Sequence, residues 1–219
     1  MATFPSIVLA SRSPRRLELL SLLVPADRIV VHPPANSDEP GFDDCRNVND
    51  VEHRLRNIAA MKRRAVRNEL RQRYAAVQSA ILSADTTIVA ESSAGEFAVL
   101  GQPPIEDRSR PVVRRWFEEF YFARSHLAMT AVSLEAPDGR VIDGVAATTV
   151  HMNRAKADWL DWYLLTAEPD GKAGGYAIQG LASVFIDRIE GSLSNVIGLP
   201  LEETREMLLG LDLIDPASR

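Results

Sequence analysis

Ser6-Ile-Val-Leu-Ala-Ser-Arg-Ser-Pro-Arg-Arg-Leu-Glu-Leu-Leu20 changes its pattern twice within one short stretch. Residues 6–10 are a short apolar run, the pattern of a buried strand. Leu17, Leu19, Leu20, Leu22 and Leu23 then recur as on a helix, which is expected to end near Pro25. Ser13 is placed to cap that helix. Pro14 stands at its first position, where a missing N–H costs nothing. A strand turning directly into a helix is the opening unit of an α/β fold.

The alternation continues along the chain. Residues 28–32 read as a second strand. Residues 33–50 are rich in Pro, Asn, Asp and Gly and form a loop that carries the acidic pair Asp38-Glu39. Residues 51–78 hold no Pro or Gly and predict a long helix, with Leu55, Ile58, Ala59, Met61 and Ala65 on its buried side. Strands follow at 82–90 and Phe97–Leu100, around a turn at 92–95, and a helix at 111–122. Residues 126–135 and Val141–Met152 form a hairpin closed by Pro137-Asp-Gly139. Asn153 can cap a helix running to about Tyr163. A polar, Gly-rich loop at 168–175 precedes strands at 176–178 and 184–189. Residues 191–200 read as a loop and Leu201–Gly210 as the last helix. Strands interleaved with helices, together with hairpins, predict α/β with a mixed sheet. No repeat or linker divides the chain, so one domain over 1–219 is expected.

Composition narrows the function classes. The chain has 219 residues, 46% of them apolar and 25% charged, the values of a globular protein. The net charge of −5 makes it a poor sheath for a polyanion, so an anionic ligand needs a local basic cluster. Cys45 is the single cysteine, which excludes an internal disulfide and a zinc site built from several cysteines. The apolar runs are far below the roughly 20 residues of a membrane span. The N-terminal order, apolar residues before Arg12, Arg15 and Arg16, is the reverse of a secretory leader. A soluble, cytoplasmic protein is expected, with neither a membrane nor a nucleic acid as partner. Only Lys62, Lys156 and Lys172 are lysines among the 25 basic residues.

Three segments carry the types of residue that chemistry needs. At 11–16 the free N–H groups of a helix N-terminus meet the hydroxyls of Ser11 and Ser13 and the guanidinium groups of Arg12, Arg15 and Arg16. This is either a phosphate cradle or a capped helix with solvated arginines. Asp85 lies inside the apolar strand Ser83-Ala-Asp-Thr-Thr87. A carboxylate there needs a partner, water or a metal. It is a candidate general base or metal ligand, or else a strand-end residue accepting backbone bonds. Asp170-Gly-Lys-Ala-Gly-Gly-Tyr-Ala-Ile-Gln-Gly180 allows close backbone approach to a ligand. There Lys172 can meet a phosphate and Gln179 a base edge; the plainer reading is a flexible connection.

Taken together, these segments resemble the Maf nucleotide pyrophosphatases. The match comprises residues 10–20, the Ala-Asp-Thr core at 84–86, Lys172-Ala-Gly-Gly-Tyr-Ala-Ile-Gln-Gly180 and Val196-Ile-Gly-Leu-Pro200, in order over about residues 6 to 210. The resemblance implies a mixed-sheet fold like that of inosine triphosphate pyrophosphatases, with a deep cleft between two lobes. It also implies hydrolysis of a nucleoside triphosphate to the monophosphate and pyrophosphate with a divalent metal, Mg²⁺ or Mn²⁺, and it suggests a homodimer. Asp85 falls on the family's catalytic carboxylate, and Glu39 on a loop Glu that would share the metal. Lys62 matches the Lys of the long helix, while Ser11, Ser13, Arg15 and Arg16 match the phosphate-binding loop. Arg15, Thr86 and Gln179 are the residues of members acting on dTTP and UTP, where 7-methyl-GTP members carry Trp, Gln and Glu. His126 matches a family His near the cleft.

Two departures accompany the match. The family's Gly-Lys-Pro is Gly101-Gln102-Pro103 here, which replaces a phosphate-facing cation by a neutral donor. Ala123-Arg124-Ser125 stands where the family has Ser-Gly before its His. Modified pyrimidine nucleotides fall within the same expectation, and the rival readings are a different base, such as 7-methyl-GTP or another modified nucleotide; a nucleotide-binding regulator of septum formation with weak or no catalysis; and a nucleic-acid surface on the basic helix from Arg54 to Arg73. His32, His53 and His151 show no zinc spacing, and Trp116, Trp159 and Trp162 are expected in the core or an interface.

Overall fold

The computed structural model describes residues 4–36, 38–74, 77–104, 109–154 and 156–216. Seven strands form one mixed sheet in the order β2-β1-β3-β5-β6-β7, with β4 pairing β3 beside this path. Strand β1 (Ile7–Leu9) lies parallel to β2 (Ile29–Val31) and to β3 (Ala80–Glu91). Strands β4 (Phe97–Leu100), β5 (Ser125–Glu135), β6 (Val141–Met152) and β7 (Ile186–Glu190) are added antiparallel.

Local chemistry explains the elements that position the cleft. Helix α1 (Pro14–Leu20) starts with Pro14 in its first turn, and Ser13 Oγ accepts from Arg16 N–H. Helix α2 (Val48–Arg73) is capped by Asn47, whose side chain accepts from Asp50 N–H. The β5–β6 hairpin turns at Gly139, whose φ of +90° suits glycine. Helix α3 (Ser109–Trp116) winds into a π-turn over Phe117–Tyr121. A 3₁₀ turn at Ala157–Trp159 leads into α4 (Leu160–Leu164), and α6 (Leu201–Gly210) closes the fold.

Several expected elements differ. Helix α2 begins three residues earlier than expected and ends at Arg73, before Ala75 and Ala76, which lie outside the described residues. Met61 is 43% exposed, and the buried side continues instead through Arg63, Val66, Arg67 and Leu70. The two arginines are tolerated there because Glu135 pairs with both. Residues 176–178 form no strand. The turn before them is set by Gly174 at φ +71° and Gly175 at φ +68°, and Tyr121 and Tyr163 hydroxyls donate to their carbonyls at 2.9 Å. Residues 181–185 are a 3₁₀ turn rather than the start of β7. The expected loop at 191–200 contains helix α5 (Leu193–Ile197), because Ser192 Oγ accepts from Asn195 N–H. Trp159 and Trp162 are about two-fifths exposed and meet edge to face at 5.9 Å, whereas Trp116 packs on the core.

The core divides along β3. Leu82 and Ala84 pack with β1, α1 and α6 in one cluster, and Ile88 and Ala90 pack with α3, the π-turn and α4 in another. Between these halves lie Asp85, Thr86 and Thr87. Along one edge of β3, β1 covers residues 80–82 and β4 covers 88–91. No described strand pairs with residues 83–87 on that edge, and this break in the sheet is the floor of the cleft between the two lobes.

Candidate active site

The cleft encloses about 760 Å³. Ser11, Ser13, Arg15, Arg16, Glu39, Lys62, Asp85, Thr86, Gln102, Lys172 and Gln179, the site residues expected from the sequence, all line it. They arrive from β1 and its turn into α1, the 33–47 loop, α2, β3, the segment after β4, and the Gly-rich turn.

Strand alternation sends neighbouring side chains to opposite faces. Asp85 points toward α2. There Lys62 Nζ donates to Asp85 Oδ1 at 2.6 Å and lies 3.0 Å from Glu39 Oε1. One ammonium thus draws two carboxylates together, although Glu39 stands on an exposed loop and Asp85 in the middle of the sheet. Lys62 is engaged by these carboxylates rather than presented free to a phosphate. Hard cations such as Mg²⁺ take oxygen ligands, commonly one or two carboxylates completed by substrate phosphates. Asp85 and Glu39 fit that donor set. Among the described residues no group of three or more His, Cys, Asp or Glu could hold a metal alone.

Thr86 points to the other face, toward α1. Arg16 spreads its guanidinium over three acceptors: Gly198 carbonyl at 2.8 Å, Ser11 Oγ at 3.2 Å and Thr86 Oγ1 at 2.9 Å. Burial lowers its pKa, opposed by the charge of Asp85. Ser11 Oγ also accepts from Ser13 N–H at 3.2 Å, so both serines shape the turn. Arg15 differs from Arg16: its Nε is buried without a partner, and burial lowers its pKa against the opposing pull of Glu18 and Glu168. Lys172 is likewise lowered, first by burial and then by the neighbouring Arg15 charge. Burial thus weakens the charged form of both cations, and both line the same cleft. Gln102 and Gln179 stand exposed at its rim.

A model of the Maf-like protein family matches residues 6–211 of this sequence. The chain belongs to the Maf family. The dTTP/UTP pyrophosphatase of Anaeromyxobacter dehalogenans is 39% identical over 210 residues, covering 93% of each chain. That of Caulobacter vibrioides is 35% identical over 212 residues, covering 96% of this chain and 98% of the relative. Among solved structures, the Staphylococcus aureus Ham1 protein aligns with a TM-score of 0.41 at 14% identity, over 67% of this chain and 71% of that one.

Some of what builds this Maf site carries no sequence signal. Thr130 lies in an apolar strand run, yet its Oγ1 is 2.9 Å from Thr86 Oγ1. Asn195 is fully buried and ties α5 to β5 and β6, its Nδ2 donating to Ala128 carbonyl at 2.9 Å and Thr148 Oγ1 at 3.0 Å. Glu168 accepts from the N–H groups of Leu181 and Ala182 at 2.5 and 2.9 Å, which pins the end of the Gly-rich segment. His126 sits behind the cleft wall, its Nε2 hydrogen-bonded to the hydroxyl of the lining residue Tyr176 at 2.7 Å.

Proposed function

We propose that this chain hydrolyses dTTP and UTP to the nucleoside monophosphate and pyrophosphate. One observation carries the reading: Lys62 gathers the carboxylates of Asp85 and Glu39 on one face of β3, in a cleft that Arg15 and Lys172 also line. The curated relatives, which carry that activity as their name, support it.

In the proposed reaction Asp85 accepts a proton from water as the water oxygen attacks the α-phosphorus. The bond from the α-phosphorus to the α,β-bridging oxygen breaks, and pyrophosphate leaves with that oxygen. Such displacement depends mostly on positioning and on neutralising charge. Arg15 and Lys172 hold the triphosphate. Arg16 fixes Ser11 and Thr86 in place, and Thr86 and Gln179 read the pyrimidine. Lys62 keeps Asp85 and Glu39 in register. A divalent cation, Mg²⁺ or Mn²⁺, held by Asp85 and Glu39 would supply charge neutralisation at the phosphates.

The first test is pyrophosphate release from dTTP, UTP, CTP, GTP, ATP and 7-methyl-GTP with Mg²⁺ or Mn²⁺. Release from dTTP and UTP should exceed the rest, and Asp85→Asn should lower kcat by about 100-fold or more. Near-parental turnover by that variant would remove Asp85 from its role. Gln102 supports a second reading, a nucleotide-binding regulator, because a neutral amide stands where the family has a cation. Tight nucleotide binding without pyrophosphate release, restored to catalysis by Gln102→Lys, would favour it.

A further inference from the structure

The hydroxyl of Thr86 belongs to a hydrogen-bond chain whose direction is fixed at both ends. At one end, Arg16 Nη2 can only donate, and it donates to Thr86 Oγ1 at 2.9 Å. At the other end the carbonyl of Asn195 can only accept, and it takes the single proton of Thr130 Oγ1 at 3.1 Å. Thr130 and Asn195 are both fully buried, so water cannot satisfy that carbonyl in place of Thr130. Thr130 has then no proton left for the 2.9 Å contact between the two threonine oxygens. Thr86 must therefore donate to Thr130. Its own proton is spent, and toward the cleft it offers a lone pair only.

We infer that Thr130, seated on the Asn195 carbonyl, makes Thr86 an obligate acceptor and so selects a ligand whose facing atom carries hydrogen. The inference rests on the reading of this site as a pyrimidine pocket. The imide of uracil and thymine presents N3–H, a donor. Cytosine presents a bare N3, a second lone pair, against which Thr86 has nothing to give. Discrimination against cytosine thus comes from a residue that touches no ligand: Thr130 is a positioning residue for Thr86. An Oγ1 free to rotate its proton would serve both bases alike, since a lone hydroxyl both donates and accepts.

The test is the ratio of kcat/KM for UTP over CTP. Thr130→Val removes the acceptor for the Thr86 proton and should cut that ratio by about tenfold or more. Thr130→Ser keeps the acceptor and should hold the ratio within about twofold of the parent. Loss of stability alone would lower both substrates together and leave the ratio unmoved. An unchanged ratio in folded Thr130→Val overturns the inference. A parent protein with no preference for UTP over CTP would instead sink the pyrimidine reading beneath it. A measurement on the unaltered protein stands independently of any variant. The KM for UTP should rise as alkaline pH removes the N3 proton, and the rise should come at lower pH for 5-bromo-UTP, whose imide is more acidic. Coincident profiles for the two substrates would also overturn it.

Discussion

Arg15 and Arg16 are adjacent in the chain and opposite in circumstance. Arg16 gives three N–H groups to acceptors 5, 70 and 182 residues away, whereas Arg15 keeps a buried Nε without a partner. The first arginine is committed to the protein's own acceptors; the second is the one that, in the proposed reaction, meets the triphosphate. A lysine has no planar fork, so Arg16→Lys leaves buried acceptors unpaired and should lower stability by about 1–3 kcal/mol in denaturant titration. Arg15→Lys should leave the denaturant midpoint near that of the parent while raising KM for UTP. His126 makes a separate prediction. Burial, assisted by the charge of His151, drops its pKa from 6.5 to about 3. Between those values the unfolded chain binds a proton that the native state refuses, so stability is full above pH 6.5 and is lost as pH falls toward 3. The slope is about 1.4 kcal/mol per pH unit. Denaturant midpoints at pH 7 and pH 4.5 should separate in the parent by more than in His126→Asn.

Helix α2 is held to the sheet by charge as well as by apolar contact. Arg63 pairs with Glu135, and Arg67 pairs with the same carboxylate at 2.9 Å, all three side chains at most 9% exposed. Removing the shared anion leaves two buried cations uncompensated. Glu135→Gln should therefore cost about 3–5 kcal/mol by calorimetry or denaturant titration, and should disturb the placement of Lys62 next to Arg63. The sequence hides this arrangement, because two arginines on a helix read as a solvated stripe until a strand 70 residues away supplies their partner. The elements that were readable share one property: their signals are local. Ser13 and Pro14 cap their own helix, Gly139 turns its own hairpin, and the apolar run of β3 lies within its own strand. Tyr176 to Ile178 reads as a strand from its own residues, but the turn that leads into it is held by the hydroxyls of Tyr121 and Tyr163 from elsewhere in the chain. The candidate site divides the same way. Asp85 and the 11–16 turn announce themselves by being out of place in apolar or cap positions, while Thr130 and Asn195 look like filler in their own segments.

At the scale of the molecule, the two largest of the core clusters share β3, and the cleft lies where one gives way to the other. A nucleotide spanning the 11–16 turn on one side and residues 171–179 on the other should tie both clusters at once. A UTP analogue with an uncleavable α,β-bridge should raise Tm, equivalent to about 2.7 kcal/mol at a hundred times its Kd, and should slow amide hydrogen exchange in both segments together. Protection confined to one of them would mean that the ligand sits on one cluster only.

The break between β1 and β4 has one more outcome, and it concerns the company this chain keeps with its own kind. An open strand edge is a template on which another chain can add a strand, the first step toward aggregation. Here the open edge lies at the bottom of a cleft, between two strands that already occupy its ends. The edge of β3 beside Asp85 that no described strand covers can thus face a small polar guest, while the strands at its two ends keep a second polypeptide out.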